Sequence, residues 1–150
     1  MKKYAFFIFI FISTFTSCSL DSTGPGDFYL EVIPIDSVEI PEYFVYGESY
    51  EIFITYTKLN SCYYFNDFIY EIDNNQRTIA VVNTVYDNGS NTCEGEPEGV
   101  TVHFDFLVNG NNTYVFKFYQ GEDDNGEDQY YVIEVPVIDG RGISDGAVKN

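Results

Sequence analysis

The run Gly121-Glu122-Asp123-Asp124-Asn125-Gly126-Glu127-Asp128 concentrates more potential metal ligands than any other stretch of the chain. Carboxylates around a glycine turn are what a hard cation such as calcium requires, and Asp123, Asp124, Glu127 and Asp128 are the candidate ligands. The spacing is not that of an EF-hand. Setting Gly126 at that loop's fixed glycine puts Gly121 at the first ligand place and Val132 at the closing one. The plainer reading is a solvated hairpin turn whose charge discourages edge-to-edge pairing. His103 is the only imidazole, between Val102 and Phe104 on the polar side of its segment, with Asp105 as its one acidic same-face neighbour. It reads as a surface histidine. There is no Gly-x-Ser-x-Gly, no HExxH and no phosphate loop. A serine nucleophile would have only His103 as base, and 24 acidic residues single out no pair for glycoside hydrolysis. The expectation is a protein that is not an enzyme and needs no cofactor.

Aromatic residues are the other source of chemistry. The chain has fourteen Tyr and fourteen Phe, and no Trp. Tyr43-Phe44-Val45-Tyr46, Tyr63-Tyr64 and Tyr130-Tyr131 put rings on both faces of their segments. A sheet packed on one side buries only one face, so some of these tyrosines should be exposed. Tyr63, Tyr64, Tyr130 and Tyr131 are the candidate ligand-binding residues, able to stack on sugars or anchor a protein contact. The alternative is cross-strand pairing that only stiffens the sheet.

The N-terminus sets the context for these groups. Lys2 and Lys3 precede an apolar run from Tyr4 to Phe15, followed by Thr16, Ser17 and Cys18. This is the layout of a secretory signal peptide, and it is too short for a membrane span of about 20 residues. Phe15-Thr16-Ser17-Cys18 resembles the lipobox of bacterial lipoproteins, with Phe15 where Leu is usual. The resemblance implies that the Cys18 thiol takes a diacylglycerol before cleavage and that acyl chains anchor the protein to a membrane. The implied location is the cell envelope, at the outer membrane, on its periplasmic or its surface side. With Cys18 lipidated, Cys62 and Cys93 remain as an even pair in an oxidising compartment. Both lie beside turn-rich sequence, and we expect a disulfide between them rather than two buried thiols. Neither sits in a CxxC, which gives a metal reading little support.

Formal net charge is −17, and removal of Lys2 and Lys3 leaves five basic residues against 24 acidic ones, about −19. This excludes nucleic acid, whose phosphates need a basic surface. It also leaves membrane tethering to the lipid rather than to anionic headgroups. The simplest role for the acidity is solubility at a cell surface.

These groups must be positioned by strands. Residues 1–17 form the leader and 18–27 a polar flexible tether. Residues 28–138 show short alternating runs broken by turns: Phe28–Ile33, Ser37–Ile40, Tyr50–Thr57, Cys62–Ile72, Thr78–Tyr86, Val100–Phe106, Tyr114–Phe118 and Tyr131–Val135. Pro34 and Pro41 place the second run at an edge. Residues 139–150 read as a flexible tail. Seven or eight antiparallel strands without helical periodicity predict an all-β sandwich. Tyr114, starting a late strand after a turn, resembles the tyrosine corner of immunoglobulin-like domains, so the expected class is an Ig-like β-sandwich, with a small barrel as the alternative.

The whole chain resembles the small lipoproteins of Flavobacteria and other Bacteroidota. The resemblance rests on the Lys-rich Phe/Ile leader, Ser61-Cys62-Tyr63, Tyr114 to Gly121 and Gln129 to Pro136. It implies an envelope location and no reaction. Asp21-Ser22-Thr23 and Asp36-Ser37-Val38 also resemble the Asp-Ser/Thr-apolar sites where Bacteroidota attach O-glycans. The expected function is a non-enzymatic binding module for an envelope protein or glycan. The alternatives are an accessory subunit docked through a sheet edge and a weak hydrolase.

Overall fold

The computed structural model describes residues 28–86 and 93–139. The expected leader, the tether with Cys18, and the tail beyond Asp139 lie outside the described residues. Ten strands and no helix are found among those described: β1 (Phe28–Ile33), β2 (Ile35–Glu39), β3 (Phe44–Val45), β4 (Ser49–Lys58), β5 (Tyr63–Asp73), β6 (Gln76–Tyr86), β7 (Glu98–Leu107), β8 (Tyr114–Glu122), β9 (Asp128–Val135) and β10 (Val137–Ile138).

They build an all-β, two-layered sandwich. One layer has five strands. Its spine is β6, paired along its length with β5 on one side and with β8 and then β1 on the other, while β9 continues outward from β8. The second layer is β2-β4-β7. A short β3-β10 pair closes one end.

The expectation of seven or eight strands, all antiparallel, is corrected in two respects. β3 and β10 are two residues each, too short for alternation to reveal them. Two pairings are parallel: β6 with β8, where β6 shares one of its sides between two strands of opposite direction, and β3 with β10.

Strand alternation fills the space between the layers. Ile52, Ile54 and Tyr56 of β4 face Ile79, Val81 and Val85 of β6, all buried, and Phe116 and Phe118 extend the core. At one end Phe44 packs within 5.1 Å of Phe106 and 5.9 Å of Phe116, centroid to centroid. The chain passes from one layer to the other at Pro34. Ile33 closes β1 and Ile35 opens β2, both buried; the proline between them has no N–H to give to either ladder. β2 is an edge strand, as its flanking prolines require.

Two buried polar groups are explained differently. Arg77 is buried, yet its Nη1 donates to the carbonyls of Asn74 (2.9 Å) and Gln76 (2.8 Å), and its guanidinium lies 5.1 Å from the Tyr114 ring centroid. Asn83 is fully buried, and neither of its amide atoms finds a hydrogen-bond partner among the described residues, although the Tyr56 hydroxyl is near enough to feel the amide. Tyr114 opens β8, and its hydroxyl donates to Asn109 Oδ1 at 3.0 Å. A Cβ at Gly110 would come within 3.0 Å of that hydroxyl, so this turn position favours glycine. Cys62 and Cys93 form a disulfide, Cα atoms 5.4 Å apart, as expected from the cysteine count.

Candidate functional site

The site grows from the alternation of β6. Arg77, Ile79, Val81, Asn83 and Val85 face the core, so Thr78, Ala80, Val82, Thr84 and Tyr86 face outward. Register then places the neighbours on that outer face. Phe28, Leu30 and Val32 of β1 pair with Tyr86, Thr84 and Val82. Tyr64 and Ile69 of β5 pair with Thr84 and Ala80. On the far side Tyr119 of β8 pairs with Tyr130 of β9, and Lys117 with Val132.

This outer face is apolar and open. Phe28 is 60% exposed, Leu30 59% and Tyr64 57%; Val32, Ile69, Tyr86 and Val132 are exposed as well. At one end the Tyr86 ring meets Phe28 (5.9 Å) and Tyr64 (5.6 Å). At the other, Tyr119 and Tyr130 meet edge to face at 6.0 Å, and the Lys117 ammonium lies 4.2 Å from the Tyr130 ring centroid. The outer face of the three-stranded sheet differs: Glu51 pairs with Asp105, Phe53 with His103 and Thr55 with Thr101.

A cleft of about 430 Å³ opens on the apolar face, within the usual size of ligand sites, ~300–1,000 Å³. Val32, Ile69, Ala80, Tyr119 and Tyr130 supply its apolar lining, and Glu71, Glu122 and Asp128 its carboxylates. The Tyr130 hydroxyl donates to Asp128 Oδ2 at 3.1 Å. Among the described residues no base pairs with any of these three acids. Burial pushes both phenols up from their ordinary pKa. Glu122 and Asp128 add to the shift of Tyr119, and Asp128 and Glu71 to that of Tyr130. The cleft therefore offers apolar contact, ring faces and a concentrated negative potential.

The four tyrosines singled out from sequence do not form one patch. Tyr63 is 9% exposed, on the core side, with its hydroxyl donating to Glu31 Oε2 at 2.9 Å. Burial, then Glu31, pushes its pKa well above the phenol range. Tyr64 and Tyr130 share the outer face but stand at opposite ends of it. Tyr131 lies opposite Phe118 in register, on the inward side of β9 with Ile133 and Val135 as the alternation of that strand predicts, yet it stays exposed and is turned away from the face that carries Tyr64 and Tyr130. Tyr119, Glu71, Glu122, Val32 and Ile69 were not singled out, because cross-strand register brings them together and no local spacing records it.

The acidic loop is a hairpin tip. Asp123 Oδ1 accepts the backbone N–H groups of Asn125 (2.8 Å) and Glu127 (3.0 Å), which hold its carboxyl below the usual range. Gly126, at φ 78°, makes the turn. Asp123, Asp124, Glu127 and Asp128 are not gathered around one point; among the described residues no group of three or more His, Cys, Asp or Glu side chains is placed to hold a metal. Asp128 instead lines the cleft. His103 lies on the polar outer face, its Nε2 3.8 Å from Glu51.

Compared with known protein families, with curated proteins and with solved structures, the chain matches none.

Proposed function

We propose that this chain is a lipid-anchored envelope protein that acts as a non-enzymatic binding module, with the outer face of its five-stranded sheet as the recognition surface. One observation carries the reading: Phe28, Leu30, Val32, Tyr64, Ile69, Tyr86 and Val132 stand exposed on that one face, while the opposite outer face is mainly polar, with Phe53 and Leu107 as its large apolar side chains. A monomer seldom leaves a contiguous apolar patch of this kind open without a use for it. The Ig-like class belongs to the same proposal, supported by the strand that changes sheets at Pro34 and by Tyr114 bonded back across its turn. Anchoring through Cys18 rests on the leader and is tested by metabolic labelling with a lipid precursor, which Cys18→Ala should abolish; an unlabelled wild type would refute it.

The binding face is tested by a photo-crosslinking amino acid placed at Tyr64 or Ile69 and, separately, at Thr101. A specific adduct in the native envelope from the first two positions only is the expected result. Adducts from Thr101 alone, or from none of the three, overturn it.

The accessory reading has its own support: among the described residues β5 has β6 as its only strand partner, which leaves an edge of eleven residues for strand addition. Crosslinks from Asn66 and Asp67, at the β5 bulge, with none from Tyr64 would favour it.

A further inference from the structure

We infer that the apolar outer face of the five-stranded sheet docks a basic, apolar-flanked segment of a partner protein, with a lysine or arginine of that segment seated in the cleft beside Tyr119 and Tyr130. The inference rests on the binding-module reading and names the partner class.

Three features select this occupant. The first is shape and polarity. Phe28, Leu30, Tyr64 and Tyr86 form an open apolar end, and Val32 and Ile69 continue it to the cleft, so an extended segment laid along β1 and β6 meets this apolar end before the cleft's carboxylates. The second is sign. Glu71, Glu122 and Asp128 line the cleft without a paired base among the described residues, on a chain of net charge −17. Walls of one sign and low dielectric focus a field that attracts cations. Phosphates, anionic lipid headgroups and nucleic acid are repelled. A second copy carries the same net charge of −17 and is repelled as a whole. The third is donor and acceptor inventory. Ionised carboxylates only accept hydrogen bonds, whereas an ammonium or guanidinium only donates them, so the match needs no compromise. A neutral sugar hydroxyl brings both and gains less from acceptors alone. Lys117 sets one ammonium against this wall, 4.2 Å from the Tyr130 ring centroid, which shows that the ring accepts a cation and leaves the three carboxylates in excess of it.

The test uses the full chain in detergent micelles and isothermal titration with four probes: acetyl-Lys-Val-Lys-Val-Lys-amide, the same peptide with Glu for Lys, pentalysine, and a neutral glucan oligosaccharide. The Lys-Val peptide should bind, lose about tenfold in affinity between roughly 50 and 500 mM salt, and lose about as much in the Glu71→Gln/Asp128→Asn variant. Tyr64→Ala should weaken the Lys-Val peptide and leave pentalysine unchanged. These side chains are exposed or at the rim, and an unaltered melting temperature shows that each variant is folded. Salt-insensitive binding of the oligosaccharide in preference to the peptides overturns the partner class while leaving the binding module standing. Failure of all four probes, with crosslinks still present at Tyr64, overturns the partner class alone; failure of the crosslinks as well removes the parent reading. Binding of the Glu peptide as tight as the Lys peptide also contradicts the proposal.

Discussion

Tyr63 and Asn83 show at the scale of single residues how polar groups fare in this core. The Tyr63 phenol is buried and donates to Glu31, and its pKa is raised by burial first and by that carboxylate second. Tyr56 and Tyr70 are raised too, chiefly by burial. Because the folded values lie above the unfolded value near 10, the stability these phenols contribute is complete below that pH and is lost as pH rises past it. Urea titrations should therefore show stability falling from about pH 10 upward. Tyr63→Phe should flatten that fall and cost about 1 kcal/mol at neutral pH, the worth of one hydrogen bond; an unchanged alkaline slope would contradict the assignment. Asn83 is the opposite case, a buried amide without a partner among the described residues. Asn83→Leu removes that cost in a side chain of similar size, and a gain in stability of about 1 kcal/mol is expected. A loss of that size would mean the amide is satisfied. Arg77 joins the two cases, since carbonyls and aromatic rings hold its charge; Arg77→Ala should cost about 2–4 kcal/mol in chemical denaturation.

At the scale of elements, the disulfide and the hairpin tip set local order. Cys62 and Cys93 are 31 residues apart in sequence, and on the chain-entropy view such a link is worth about 3–4 kcal/mol. The Cys62→Ala/Cys93→Ala variant should lose about that much and respond no further to reductant. In the β8–β9 hairpin, Asp123 caps its own turn, and its depressed pKa makes that support complete above the ordinary carboxylate range and lost as pH falls below about 4. The protection factors of the Asn125 and Glu127 amides, corrected for intrinsic exchange, should fall there, and Asp123→Ala should abolish that fall. Most strands were legible in the sequence for plain reasons. Tyr50-Ile52-Ile54-Tyr56 and Tyr114-Phe116-Phe118 alternate cleanly because each lies over a filled core, and β1 begins and ends where its alternation does. Tyr131 misled because alternation names a face without saying whether the opposite sheet reaches far enough to cover it. β9 is the outermost strand of its layer, and the second layer has only three.

The molecule as a whole is a sandwich with two unlike exteriors. The three-stranded sheet presents acids, threonines and His103, with Phe53 and Leu107 among them, and there alternation of polar and apolar residues was a fair guide broken at those two positions. The five-stranded sheet presents apolar rows on both sides of β6, and a strand apolar on both faces cannot be told from one buried on both faces by its composition. The cleft was hidden for the same reason. Glu71, Glu122 and Asp128 are scattered among 24 acids in the chain and converge only through the β5-β6-β8-β9 register. Hydroxyl-radical footprinting with mass spectrometry, comparing the purified protein with the protein in its native envelope, tests the central claim most directly. Protection of Phe28, Leu30, Tyr64 and Tyr86 in the envelope, with Leu107 of the opposite outer face equally reactive in both samples, is the result this account requires. Equal reactivity of all five, or protection confined to Leu107, would contradict it.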